Sequence, residues 1–68
     1  MNAVDPLVAL LKAERLQRGE SLRALAARTG VNHNALCRAE RGLSDPSFMT
    51  LRAWCGALGF ELGCRRVR

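Results

Sequence analysis

Four glycines divide the chain into segments that have room only for short secondary-structure elements. Gly19, Gly30, Gly42 and Gly59 lie 11, 12 and 17 residues apart. Before each glycine, apolar side chains recur every three or four residues, which is the period of an amphipathic helix. A glycine directly after such a run is a common signal for a helix C-terminus. The spacing therefore predicts an all-α fold of four to five short helices.

The starts of the helices are marked by residues that favour N-cap positions. Asp5 precedes a proline, and Ser21, Asn32 and Ser47 each follow a glycine or a loop. These signals predict helices over about 6–18, 21–28, 32–41 and 47–57, with a loop containing Pro46 before the last one. The apolar residues at helical spacing are Leu7, Leu10, Leu11, Leu22, Leu25, Ala26, Leu36, Ala39, Phe48, Leu51, Trp54 and Leu58.

Size and charge limit what such a chain can do. Its 68 residues predict one domain over 1–68 with a thin core, so disulfides, a metal or a partner chain would help to stabilise it. Eleven basic residues against six acidic ones give a net charge of +5, and all the basic residues except Lys12 are arginines. A nucleic acid or a membrane surface would suit this charge. The alternative is that the arginines only cover solvated helix faces.

Cysteine usage indicates a cytoplasmic protein with reduced thiols. Cys37, Cys55 and Cys64 are odd in number and not closely spaced, and no apolar N-terminal stretch precedes them. His33 and Cys37 share a helix face at the spacing of two metal ligands. Structural zinc normally uses Cys-x-x-Cys pairs, which are absent from the sequence, so we expect no metal and no cofactor.

Two other classes of function are disfavoured. The sequence has no carboxylate pair, no Ser/His/Asp set and no glycine-rich phosphate loop, so we expect no enzyme. It contains no apolar run of about 18 residues and no single long amphipathic helix, so we expect no membrane partner.

The C-terminal segment follows a different pattern. Phe60, Leu62 and Cys64 alternate with polar residues or glycine, which is the period of a strand over about 60–67. A lone strand needs a partner, and a second copy of the same chain is the simplest source of one. Phe60, Leu62 and Cys64 are then candidate dimerisation residues. A frayed terminus is the competing interpretation.

The most informative feature is the pair of short helices at about 21–28 and 32–41. Two such helices across a short turn with glycine define a helix-turn-helix, here about 21–41. Ala26 is small where the helices approach, Gly30 permits the turn conformation, and Val31 is an apolar plug beneath the turn. Leu36 would anchor the second helix in the core.

These residues resemble a known family. Leu25-Ala26-Ala27-Arg28-Thr29-Gly30-Val31-Asn32, then Leu36-Cys37-Arg38-Ala39-Glu40-Arg41-Gly42, then Pro46-Ser47, are similar to the Cro/repressor (Xre-type) helix-turn-helix family. The resemblance covers about residues 7–62. The end of the chain, from Ala57 into the arginine-bearing tail, is similar to HipB-like members, in which such a strand pairs between protomers.

The resemblance implies a role for each matching position. The helix at about 32–41 would be the recognition helix in the DNA major groove. Base edges would be read by His33, Asn34, Cys37 and Arg38. Phosphates would be held by Ser21, Arg23, Asn32 and Arg41. Arg15 and Glu40 match an arginine and a glutamate that pair in many members; otherwise they are two unrelated surface charges.

Three positions depart from the family pattern. Leu22 replaces a frequent phosphate-contacting glutamine, Asp45 puts a negative charge in a loop that is often basic, and Glu20 replaces a commonly apolar residue. These departures bear on the phosphate contacts more than on the fold.

The function implied is that of a sequence-specific DNA-binding transcription regulator, a repressor that acts as a homodimer on double-stranded DNA. An antitoxin that also binds a toxin, a phage repressor and a controller of a restriction or defence operon share the pattern. A protein-interaction module reusing the fold is a further alternative. Polar and basic residues on the outward face of the recognition helix favour DNA.

Overall fold

The computed structural model describes residues 4–67. Within them the chain forms four helices, α1 (Pro6–Gln17), α2 (Leu22–Thr29), α3 (His33–Glu40) and α4 (Phe48–Ala57). The all-α fold predicted from the glycine spacing is therefore confirmed. Helix α2 packs against both α3 and α4, and α1 packs against α3.

Every helix begins at a side chain that accepts a hydrogen bond from an otherwise unpaired backbone N–H group. At α1 the Asp5 carboxylate accepts from the N–H of Leu7 at 2.8 Å. Such a cap contributes about 1 kcal/mol to helix stability. The four helices have only 8 to 12 residues, and helices this short are marginally stable alone. The cap is therefore a large share of the free energy that local interactions contribute. The four caps are Asp5, Ser21, Asn32 and Ser47.

The C-terminus of α4 shows how the glycines end the helices. Gly59 has a left-handed φ of +82°, and the N–H of Phe60 donates back to the carbonyl of Cys55 at 2.8 Å. This wide turn gives the Cys55 carbonyl a short bond beside the one of 3.1 Å from the N–H of Leu58. Arg18, just beyond α1, donates to the carbonyl of Leu58 at 2.8 Å and so joins the end of α1 to the end of α4.

The core is thin, as the length of the chain predicts. Trp54 is fully buried and is the largest side chain in it. Its indole Nε1 finds no hydrogen-bond acceptor among residues 4–67. The buried apolar residues are Val8, Leu11, Leu25, Leu36, Ala39, Trp54, Cys55 and Leu58.

Two apolar residues at helical spacing do not reach this core. Leu10 is 51% exposed, and Val8 is buried in its place, because the inward face of α1 follows Val8, Leu11 and Arg15. Phe48 is 59% exposed because it occupies the first position of α4, beyond the end of the core. Its ring lies 4.8 Å from the guanidinium of Arg52, one turn further along.

The predicted strand at about 60–67 is not formed in the single chain. Residues 60–67 have no regular secondary structure, and no strand occurs anywhere between residues 4 and 67. A strand is defined by its ladder, and the single chain offers no neighbouring strand to complete one. Phe60 and Leu62 are half-buried against the core, whereas Cys64 is exposed.

A buried ion pair connects α1 to α3. The guanidinium of Arg15 donates through Nε and Nη2 to the two carboxylate oxygens of Glu40, both at 2.8 Å. Its Nη1 donates to the backbone carbonyl of Glu20 at 2.7 Å, so the same side chain also holds the α1–α2 connection. Arg15 is 8% and Glu40 4% exposed. The hydrogen bonds to Glu40 raise the pKa of Arg15 above its usual value, so the guanidinium stays charged.

We expect Arg15→Ala to lower the free energy of unfolding by about 3–5 kcal/mol, because Glu40 would be left as a buried charge without a partner. The double variant Arg15→Met/Glu40→Leu should lose less than Arg15→Ala, since it leaves no buried charge. Urea unfolding followed by the fluorescence of Trp54 measures both values.

The exposed Glu14–Arg18 pair provides the matched control, since its Nε–Oε2 distance is also 2.8 Å. Glu14→Gln should cost at most about 1 kcal/mol, as is usual for surface pairs. If Arg15→Ala and Glu14→Gln lowered the free energy of unfolding equally, the burial of the Arg15–Glu40 pair would not explain its effect.

Candidate nucleic-acid interface

One face of α3 carries polar and basic side chains and lies opposite the core. Leu36 and Ala39 are buried, while Asn34 and Arg38 are exposed one turn apart. Arg41, the C-cap residue in right-handed helical conformation, continues the same stripe. Because a helix repeats every 3.6 residues, these three side chains form a continuous line about 10 Å long. We call Asn34, Arg38 and Arg41 the α3 stripe.

His33 and Cys37 lie on the flank of α3, between this stripe and the core. Both are half-buried and are separated by one helical turn. The four predicted base readers thus lie on one half of α3. Asn34 and Arg38 face outward, and His33 and Cys37 lie at the edge.

The cap residues of α2 and α3 have hydrogen-bond donors left over. The Ser21 hydroxyl oxygen accepts from the N–H of Ala24 at 3.1 Å, and its own hydrogen remains available. The Asn32 amide oxygen accepts from the N–H of Asn34 at 2.8 Å, and its NH₂ group donates to no acceptor within residues 4–67. Each side chain is therefore fixed by its cap at a helix N-terminus, where backbone N–H groups and the helix dipole attract anions.

The arginines divide into two groups. Arg15, Arg18 and Arg28 each pair with a carboxylate at 2.8 Å. The exposed residues Arg23, Arg38 and Arg41 form no ion pair within the described part of the chain, and the same holds for Arg52, Arg65 and Arg66. The only side-chain hydrogen bond from Arg38 in that part is a long one, 3.5 Å, to the carbonyl of Leu43. The unpaired group therefore contains every arginine predicted to contact DNA.

The turn between α2 and α3 is held by its own side chains. Gly30 has a φ of +74°, which favours glycine. The Thr29 hydroxyl donates to the carbonyl of Leu25 at 2.9 Å and accepts from the N–H of Val31 at 3.2 Å. These bonds fix how α3 follows α2.

Sequence reasoning missed one ion pair at this surface. Arg28 donates through Nε and Nη2 to the two carboxylate oxygens of Glu20, both at 2.8 Å. The two residues are eight apart, which is outside the three- and four-residue spacings that identify side-chain pairs on a helix. The only available signal was the unusual acidic residue directly before the cap of α2.

A helix-turn-helix family model matches residues 11–63 and so spans α2, the turn and α3. The chain belongs to the Xre-type helix-turn-helix family. It is therefore a DNA-binding helix-turn-helix regulator. Neither a curated protein nor a solved structure matches the chain.

His33 and Cys37 of this Xre-type protein lie one helical turn apart on α3, but the structure brings no third candidate metal ligand to them among the described residues. Within residues 4–67, no three side chains of His, Cys, Asp or Glu come together as a possible metal site. Cys55 is buried in the core, where desolvation raises the pKa of its thiol, and Cys64 is exposed in the tail. No helix in the same range has the length and apolar character needed to cross a membrane.

Variants of Asn32 can separate its capping of α3 from its predicted contact with a DNA phosphate. We expect Asn32→Ala to destabilise the fold by about 1 kcal/mol through loss of the cap. Asn32→Asp should keep the cap, because aspartate serves as well at this position, but should weaken DNA binding by bringing a negative charge to a phosphate. Thermal unfolding and fluorescence anisotropy with a labelled duplex provide the two measurements. Unchanged DNA affinity in Asn32→Asp would show that this side chain does not approach a phosphate.

Proposed function

We propose that the chain is a sequence-specific transcriptional repressor that acts as a homodimer on a palindromic operator. The observation that carries the proposal is the α3 stripe, which is exposed, opposite the core and without carboxylate partners among the described residues. An interaction module would present apolar groups on this face. Here the polar and basic groups match the donors and acceptors on base edges.

In this proposal α3 lies in the major groove. Arg38 donates bidentately to a guanine, and Asn34 pairs with an adenine, each contact discriminating against a wrong base by about 1–3 kcal/mol. His33 donates or accepts according to its tautomer. Cys37, half-buried beside it, reaches a thymine methyl group.

The phosphates are held around this helix by Ser21, Arg23, Asn32 and Arg41. Ser21 and Asn32 use the donors that their caps leave free, and the backbone N–H groups in the first turns of α2 and α3 add further donors. Arg23 and Arg41 contribute charge. Contacts of this kind orient a protein on DNA and carry no sequence information directly.

A second copy of the chain completes the operator-binding unit. Phe60 and Leu62 are half-buried against the core of their own protomer. The N–H of Phe60 is used by the turn after α4, but the backbone of 61–67 makes no such bond within the described residues and can pair with the same segment of another copy. Cys64 extends the alternation. A two-fold dimer places two α3 helices on half-sites about 34–36 Å apart. Occupancy of such a site at a promoter excludes polymerase. An antitoxin would bind a toxin protein in addition.

The division into base readers and phosphate contacts is tested with two arginines. Duplexes selected from a randomised pool define the preferred site, and anisotropy then measures binding to single-base variants of it. Arg38→Ala should lose preference at one base pair, about 1–3 kcal/mol. Arg23→Ala should weaken all duplexes alike and reduce the salt dependence of binding by about one phosphate contact.

Lysine variants sharpen this comparison. Arg38→Lys keeps the charge but loses the planar fork of donors, so it should lose base preference as Arg38→Ala does. Arg23→Lys should bind almost normally, since a phosphate needs only a positive charge. Identical behaviour of the two positions would contradict the division, and a pool from which no sequence is enriched would contradict sequence-specific binding.

Removal of residues 63–68 tests the dimer. Phe60 and Leu62 stay on the core in this variant, so the fold should survive while the pairing segment is shortened. We expect analytical ultracentrifugation to show a shift from dimer to monomer. An unchanged dimer would instead indicate that α4 forms the dimer interface, where Phe48 and Met49 are 59% and 69% exposed.

A further inference from the structure

The ion pair between Glu20 and Arg28 lies next to the proposed phosphate site of α2. Glu20 directly precedes Ser21, the cap of α2, and Arg28 belongs to the last turn of the same helix. Side chains on a helix lean toward its N-terminus. The long arm of Arg28 follows this direction, and its guanidinium ends at the Glu20 carboxylate.

Arg28 shares a helical stripe with the cap. Ser21, Ala24 and Arg28 are spaced at i, i+3 and i+7, the spacing of neighbours along one face of a helix. The Glu20 carboxylate holds the Arg28 guanidinium on the side of α2 that faces its N-terminal cap, because Glu20 directly precedes Ser21. At 2.8 Å from both of its nitrogens, the Glu20 carboxylate takes the place that two phosphate oxygens would take.

The pair is not needed to connect α1 with α2. That connection uses the backbone of Glu20, whose carbonyl accepts from Arg15 at 2.7 Å and whose N–H donates to the carbonyl of Arg15 at 3.1 Å. Among residues 4–67 the carboxylate accepts hydrogen bonds only from Arg28, whose side chain is 46% exposed. The hydrogen bonds from Arg28 lower the pKa of Glu20, so this carboxylate keeps its negative charge at neutral pH.

We propose that Glu20 limits sequence-independent DNA binding by occupying the Arg28 guanidinium in place of a DNA phosphate. This inference rests on the proposed DNA-binding role of the α2 N-terminus. Phosphate contacts raise the affinity for every sequence equally, so an arginine withheld from phosphate leaves a larger share of the affinity to base contacts. Glu20 and Arg28 thus set the ratio of specific to non-specific binding without touching a base.

The test uses the full chain and a mixed-sequence duplex, with anisotropy measured over a range of salt concentrations. Glu20→Gln keeps both backbone contacts but removes the negative charge and one of the two oxygens that hold Arg28. The slope of log affinity against log salt should steepen by about 0.9, the value for one further phosphate contact. The affinity gain at 0.1 M salt should then be about eightfold larger than the gain at 1 M salt.

Glu14→Gln is the matched control. It makes the same change in net charge and also breaks a 2.8 Å bond to an arginine, but Arg18 remains bound to the carbonyl of Leu58. Its salt dependence should therefore stay close to that of the wild-type chain. An equal steepening in Glu14→Gln would show that only net charge matters and would overturn the proposal.

The double variant Glu20→Gln/Arg28→Gln separates the two partners. It should return to the wild-type slope, because the arginine that gains the phosphate is gone. A slope as steep as that of Glu20→Gln alone would assign the effect to the lost carboxylate and overturn the role of Arg28. An unchanged slope in Glu20→Gln overturns this inference alone, whereas a wild-type chain that binds no duplex at any salt overturns the proposed function as well.

Discussion

The arrangement of this domain depends on the buried contact between Arg15 and Glu40. Helix α3 carries most of the proposed reading surface, yet it has only eight residues and would not be stable alone. Its inward anchors are Leu36 and Ala39 in the core and Glu40 against Arg15. Because Arg15 also holds the carbonyl of Glu20, one guanidinium fixes α3 relative to both α1 and the start of α2.

Local rules predict most of this fold from the sequence. Capping residues and glycines define the four helices because they act through the backbone within a few residues. Helical period alone failed at Leu10 and Phe48, since it cannot tell where a small core ends. The pairing of Glu20 with Arg28 was not predicted, because the two residues are eight apart in the sequence. The proximity of Arg15 to Glu40 was implied only by family resemblance.

The net charge of +5 does not show which basic side chains are already paired within the chain. Among the described residues, three arginines pair with carboxylates, and two of these also donate to backbone carbonyls. The ones left unpaired include those on the outward side of α3 and the first turn of α2. Arginine is suited to both tasks, because its five donors can bind a carboxylate bidentately and still reach a carbonyl. Composition therefore indicates an anionic partner, but only the contacts show which arginines remain available for one.

The position of the α3 stripe has a consequence for how such a protein can diversify. Asn34 and Arg38 are exposed on the face opposite the core, so replacing either one removes no buried contact. Ser21 and Asn32 are different, because each also caps the helix that it begins. Duplicated copies of the gene can therefore drift at Asn34 and Arg38 while the scaffold stays intact. With the proposed base-reading role of Asn34 and Arg38, divergence of this kind would yield regulators that bind different DNA sites inside a single cell.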